Sequence, residues 1–135
     1  MTVLTEYQRV PDEERLDAAQ KLTLLEQLSG RRLHAVTFVL DHVQFQFDPP
    51  LTINAFTRIT VRPNGEKVSG DDDDQFRNLL CAQISKVVGL VTIRDSKSFD
   101  LTFADGSGIS ISLRPEDYVG PKAVALNGDS YALVL

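Results

Sequence analysis

Residues Ser98–Leu113, SFDLTFADGSGISISL, decide how this 135-residue chain is read. Phe99, Leu101 and Phe103 alternate with Ser98, Asp100 and Thr102, and Ile109, Ile111 and Leu113 alternate with Ser110 and Ser112. A period of two marks strands with one buried face and one wet face. Between them, Ala104-Asp105-Gly106-Ser107-Gly108 supplies glycines for positive φ and short side chains that bond their own backbone. The stretch predicts an antiparallel hairpin with an apolar floor and a roof of Ser, Thr and Asp. A phosphate loop must feed a helix N-terminus, so a glycine-rich turn between antiparallel strands is not one.

The same alternation recurs outward from the hairpin. Leu33–Leu40 and Val43–Phe47 read as strands around an Asp41-His42 turn, and Val87–Arg94 as a strand. Leu51–Val61 reads as one continuous strand, with Leu51, Ile53, Ala55, Thr57, Ile59 and Val61 on its apolar face. Thr52, Asn54, Phe56, Arg58 and Thr60 share the opposite face. Pro63-Asn64-Gly65 is a turn signal, followed by a short returning strand at Lys67–Ser69. Lys122–Leu126 and Tyr131–Leu135 flank Asn127-Gly128-Asp129 as a terminal hairpin.

Two stretches have helical spacing. Pro11-Asp12-Glu13-Glu14 opens one, whose stripe is Ala18, Leu22, Leu25 and Leu28 and whose C-cap is Gly30. Asp71–Asp74 opens the other, with Phe76, Leu79, Leu80, Ile84 and Val87 on its stripe. Residues 12–69 and 71–135 therefore both read helix–strand–strand–strand. Gln27-Leu28-Ser29 can be laid on Gln83-Ile84-Ser85, and Ala35–Phe38 on Leu90–Ile93, with one gap. The expectation is an internal duplication, against the alternative that any two helix–meander units look alike. The expected fold is a single α+β domain of two helix–β-meander units. Its antiparallel strands form one curved sheet or two smaller ones, covered by two helices.

Composition narrows function mainly by exclusion. The net charge of −5 argues against nonspecific nucleic-acid binding and is compatible with a basic protein partner. No run reaches the ~18 apolar residues of a membrane span, and the first residues lack a signal-peptide pattern. The expectation is a cytoplasmic protein that does not enter a membrane. Cys81 is the single cysteine, which excludes an internal disulfide and a cysteine-based zinc cluster, and it is expected to be a small buried helix residue.

Asp71–Asp74 lacks the spacing of a calcium loop and suits a helix start, with one acid capping it. His34 and His42 are the only imidazoles, and Asp41 beside His42 should point to the opposite strand face. No catalytic residue, metal site or cofactor loop is expected, and the chain does not read as an enzyme.

Two function classes follow. The first is a non-catalytic protein-interaction module, with homo-oligomerisation left open. Its expected contacts are Phe56 and Arg58 on a strand face and Tyr118 in the loop Arg114–Pro121. Phe56 is either exposed or covered by a helix, and Tyr118 is either an anchor or a plug on the sheet. The second class is a small-molecule module with a pocket between sheet and helices, lined by Phe45, Phe47, Phe99 and Phe103.

Val87–Ala123 carries G-x-V-x-x-I, then F-x-L-x-F-x-D-G-S-x-I-x-I and S-L-R-P-E-D-Y-V-G-P. This segment resembles a group of small bacterial domains of unknown function, some of which act as immunity-type proteins beside secreted toxins. The resemblance covers roughly a quarter of the chain. It implies a small antiparallel α+β domain with a protein partner and no catalytic residues.

Overall fold

The structure is a computed structural model and describes residues 25–49, 51–63, 69–70, 74–127 and 132–134. The expected hairpin is present as β7 (Ser98–Phe103) and β8 (Gly108–Ser112), with Phe99, Leu101, Phe103, Ile109 and Ile111 all buried. β6 (Val88–Arg94) pairs antiparallel with β7. In the first half β1 (Leu33–Val39), β2 (His42–Phe47) and β3 (Thr52–Ala55) form the corresponding meander. β4 (Ile59–Arg62) pairs with β5 (Ser69–Gly70), and β9 (Val124–Asn127) with β10 (Ala132–Val134).

These strands make two five-stranded antiparallel sheets with an exchange between them. Sheet one runs β1-β2-β3-β9-β10 and sheet two runs β6-β7-β8-β4-β5. Each meander is thus completed by the last hairpin of the other half of the chain. Leu33, Phe45, Phe47, Ile53 and Ala55 of sheet one belong to one buried cluster with Phe99, Leu101, Phe103, Ile109 and Ile111 of sheet two. Fully burying such side chains contributes roughly 1.5–3 kcal/mol each.

Backbone hydrogen bonds recur in kind in the two halves. Gly30 N–H donates to Val88 O at 2.8 Å, and Ser85 N–H donates to Leu33 O at 2.7 Å. Leu33 N–H bonds Lys86 O, and Val88 N–H bonds Arg31 O, both at 2.9 Å. Between them Arg32 and Val87 form an antiparallel bridge. Both meanders slip register near their start, at Leu33/Ala35 and at Val88/Leu90. These bonds match Leu28 with Gln83, one residue away from the Gln27–Ser29 alignment expected from sequence.

Several expectations are corrected. The antiparallel sheets are two, and among the described residues the chain is mostly β with a small helical part, so two covering helices are not found there. Among the described residues helix α1 covers Phe76–Cys81, and residues 25–28 are helical. The stripe through Ile84 and Val87 is not helical, because Ser85 adopts φ +84 and turns the chain toward β6. The N-cap of α1 is Gln75, whose side chain makes no cap bond, and no acid lies in the first turn, so among the described residues the expected capping acid is not found. Cys81 is exposed, not buried.

The second correction is that Leu51–Val61 is two strands in different sheets. The expected face is correct, since Leu51, Ile53, Ala55, Thr57, Ile59 and Val61 are all buried. At 56–58 the chain crosses from sheet one to sheet two. Side-chain parity survives that crossing, so alternation alone cannot reveal it. Of the short returning strand expected at Lys67–Ser69, Ser69 lies in β5 with Gly70, and Lys67 and Val68 lie outside the described residues. The start of the first helix, Asp71–Asp73, Asn64–Val68 and the turn at 128–131 lie outside the described residues.

Candidate functional site

The two crossings between sheets meet each other. Phe56 N–H donates to Ala123 O at 2.7 Å, and Val119 N–H donates to Phe56 O at 2.8 Å. Thr57 Oγ1 donates to Asp117 O at 3.1 Å, and Ser112 N–H donates to Arg58 O at 2.9 Å. The loop between β8 and β9, with a short 3-10 turn at Pro115–Asp117, is therefore fastened along residues 56–58. This brings Phe56, Arg58 and Tyr118 to one seam.

Their environments differ. Phe56 is half-buried and lies outside the core cluster. Its ring centroid is 4.7 Å from that of His42, and the Lys122 ammonium sits 4.6 Å from its centroid in a cation–π arrangement. Arg58 is exposed. Tyr118 packs against the core, and its hydroxyl donates to Leu113 O at 3.0 Å, so it acts as a plug that holds the loop down. Beside it Val119 is 65% exposed.

Along the wet face of sheet two, next to this seam, lies an open hollow of about 260 Å³. Thr60, Ser98, Ser110 and Ser112 form its floor, and Arg58, Arg94, Lys97, Arg114 and Asp117 its rim. The floor hydroxyls are bonded downward and sideways. Ser98 and Ser110 donate to the two carboxylate oxygens of Asp100, and Ser112 donates to Asp117 Oδ2 at 2.7 Å. Arg94 reaches Ser98 Oγ at 3.1 Å and Asp100 at 3.5 Å. No sequence signal marked this group, because Arg58 lies in the crossing after β3, Arg94 at the end of β6 and Arg114 in the loop after β8, and only sheet pairing brings them together.

The other sequence candidates are placed as follows. Phe45, Phe47, Phe99 and Phe103 are at most 2% exposed and form the centre of the shared core, which corrects their expected role as pocket lining. His34 Nε2 lies 2.6 Å from Asp48, and His42 Nδ1 lies 2.8 Å from Asp41. Asp41 does reach His42, because it occupies the turn before β2 and is not a strand residue. The backbone N–H of Arg32 and then the His34 ring hold Asp48 below the usual carboxylate range, and the His42 bond does the same for Asp41.

A buried polar knot sits where α1 meets the hairpin turn. Ser107 Oγ donates to Gln83 Oε1 at 2.8 Å and also bonds Asp105, while Lys86 Nζ bonds Ser107 Oγ at 3.0 Å and Asp105 Oδ2 at 2.9 Å. Ser107 is fully buried, so its hydroxyl serves the fold and is closed to a substrate. Among the described residues no group of three or more His, Cys, Asp and Glu side chains could hold a metal ion, and Asp71–Asp73 lie outside them. No described helix is long and apolar enough to cross a membrane. No protein-family model matches the chain, and neither curated proteins nor solved structures yield a match.

Proposed function

We propose that this chain is a non-catalytic protein-interaction module whose docking surface is the seam where the two crossings meet. The observation that carries the reading is Phe56. It is held outside the core, flanked by His42 and Lys122, and backed by exposed Val119 and Arg58. An aromatic anchor with arginine at its rim is the composition that interface centres favour. The cations around Phe56 ask for acidic groups on the partner, although the whole chain is acidic. Tyr118 contributes by fixing the loop that carries Val119. The resemblance of Val87–Ala123 to immunity-type proteins supports a partner that is a secreted toxin. We also infer that residues 12–69 and 71–135 arose by duplication, which the recurrence of equivalent backbone bonds supports.

The test is capture from the native host, followed by titration of the purified captured protein. Phe56→Ala should weaken that binding at least tenfold, since truncating an anchor typically costs about 2 kcal/mol or more. Its melting temperature should stay nearly unchanged. A large drop in melting temperature would assign Phe56 to the core, and turnover of a small substrate abolished by one substitution would make the protein an enzyme.

A further inference from the structure

We infer that two copies of this chain associate through the outer face of sheet one, stacked sheet against sheet. The contact is made by β1, β2, β3 and β9 and does not depend on a protein docking at the seam.

Charge singles this face out. Val36, Phe38, Phe45, Ile53 and Leu126 belong to the core or pack against it, so the residues between them point outward. None of these outward residues on β1, β2, β3 and β9 is Asp, Glu, Lys or Arg, in a chain of which 24% is charged. The outer face of sheet two, by contrast, carries Arg62, Arg94 and Asp100. The net charge is −5, so two copies repel each other. They can meet with least repulsion where neither brings a charge, since like charges set against each other oppose association.

The side chains present also suit self-recognition. A two-fold contact sets one patch against itself and needs groups that complement their own kind. Gln44, Gln46 and Asn54 carry a donor and an acceptor on each amide, and Thr37 and Thr52 do so on each hydroxyl. Gln46 Nε2 donates to Gln44 Oε1 at 3.0 Å, which starts a ladder along the face. Beside it Asn54 Oδ1 is the one buried side-chain oxygen or nitrogen among the described residues with no hydrogen-bond partner. That acceptor is closed to water, so its missing donor has to come from a rearrangement of this face on contact. At the end of the face Val39 and Leu40 are 43% and 103% exposed, two of the four exposed large apolar side chains among the described residues. A second copy would cover them. A standard interface takes about 800 Å² from each partner, and four strands about 4.8 Å apart with about six residues each offer roughly half of that in plane. The dimer is therefore weak and reversible.

Sedimentation equilibrium of the full chain, from micromolar to millimolar concentration, tests for the dimer. The parent should pass reversibly from monomer to dimer. The double variant Thr37→Glu/Gln46→Glu, at two exposed positions of the face, should dimerise about tenfold more weakly or worse, because like charges then oppose each other. An equal mixture of it with Thr37→Lys/Gln46→Lys should associate more tightly than either variant alone. Leu40→Ser should also weaken the dimer, with the melting temperature of the dilute monomer unchanged. Thr92→Glu, exposed on the outer face of sheet two, should dimerise as the parent does. A parent that stays monomeric at millimolar concentration, parental dimerisation in the Glu variant or in Leu40→Ser, no gain on mixing, or an equal loss from Thr92→Glu would each overturn the dimer. The docking seam would survive any of these results, since it is tested by titration with a captured partner.

Discussion

Where the first half turns from its helical end into β1, Leu28 and Leu51 are buried, and Arg31 reaches over them to the carbonyls of Gln27 and Asp48 at 2.6 and 2.7 Å. Where the second half makes the same turn into β6, Gln83 and Ser107 occupy those places and Lys86 takes the part of Arg31. The backbone bonds are alike in both, from Gly30 N–H to Val88 O and from Ser85 N–H to Leu33 O. One turn is therefore filled with hydrocarbon and the other with a bonded polar network. The backbone ladder sets the shape, and the side chains need only satisfy one another. Apolar burial achieves this at roughly 1.5–3 kcal/mol per side chain. The polar version holds only while every buried donor and acceptor keeps its partner, since each bond nets about 0.5–1.5 kcal/mol.

The largest way to break this comparison is to put the polar residue into the apolar turn. Leu28→Gln would bury an amide with no Ser107 equivalent to bond it, and should cost about 3 kcal/mol in denaturant unfolding. A loss under 1 kcal/mol would mean that the two turns are interchangeable.

A smaller effect is expected from two glycines in the second meander. A Cβ on Gly108 would stand 2.6 Å from the backbone carbonyl of Leu101 and 2.5 Å from the Arg62 guanidinium. Gly108→Ala should cost about 1–3 kcal/mol by overpacking. At Gly89 the nearest atoms are 3.6 Å away, so Gly89→Ala should shift the melting temperature little. The first half carries Thr52 and His34 at the matching places, beside the same register slip, and so tolerates side chains at both. Equal losses from the two substitutions would contradict the close approach.

Ser85 and Gly30 hold nearly the same left-handed backbone, at φ +84 and +85. Ser85→Gly copies the first half into the second and should stabilise the protein by about 1 kcal/mol, seen as a raised denaturant midpoint. A destabilised variant would show that the serine has a role beyond its backbone.

The smallest effect concerns acid. Bonds from Ser107 and from Lys86 hold Asp105 far below the ordinary carboxylate range. A carboxylate depressed in the folded state adds stability above its unfolded value of about 4 and loses it as pH falls toward the folded value. Stability of the parent should therefore decline with falling pH below about 4. In Asp105→Asn that decline should be shallower, and an unchanged slope would remove Asp105 as a source of it.

How much of this could be read beforehand depends on range. The hairpin at Ser98–Leu113 and the buried face of Leu51–Val61 follow from side-chain period, a local property, and both apolar faces hold, although Ser98, expected on the wet face, is buried. The sheet exchange is invisible to that reading, because crossing at Phe56–Arg58 leaves the alternation intact. Helix α1 stops early because Ser85 takes a glycine-like φ, which its identity does not announce. The polar hollow escaped for a further reason. Its lining side chains come from a crossing, the end of β6 and the loop after β8, far apart in sequence.

The exchange of hairpins also bears on how the chain is made. β3 waits for β9 and β4 waits for β8, so sheet one stays unfinished until the later strands leave the ribosome. Until then β3 presents an open edge, a hazard for association with other nascent chains. Contacts this distant in sequence slow folding relative to a chain of local pairings. The same topology has an opposite effect once folding is done. A protease cut between the halves would leave the two fragments laced together by the β3–β9 and β4–β8 ladders, so that they should travel as one particle until a denaturant parts them.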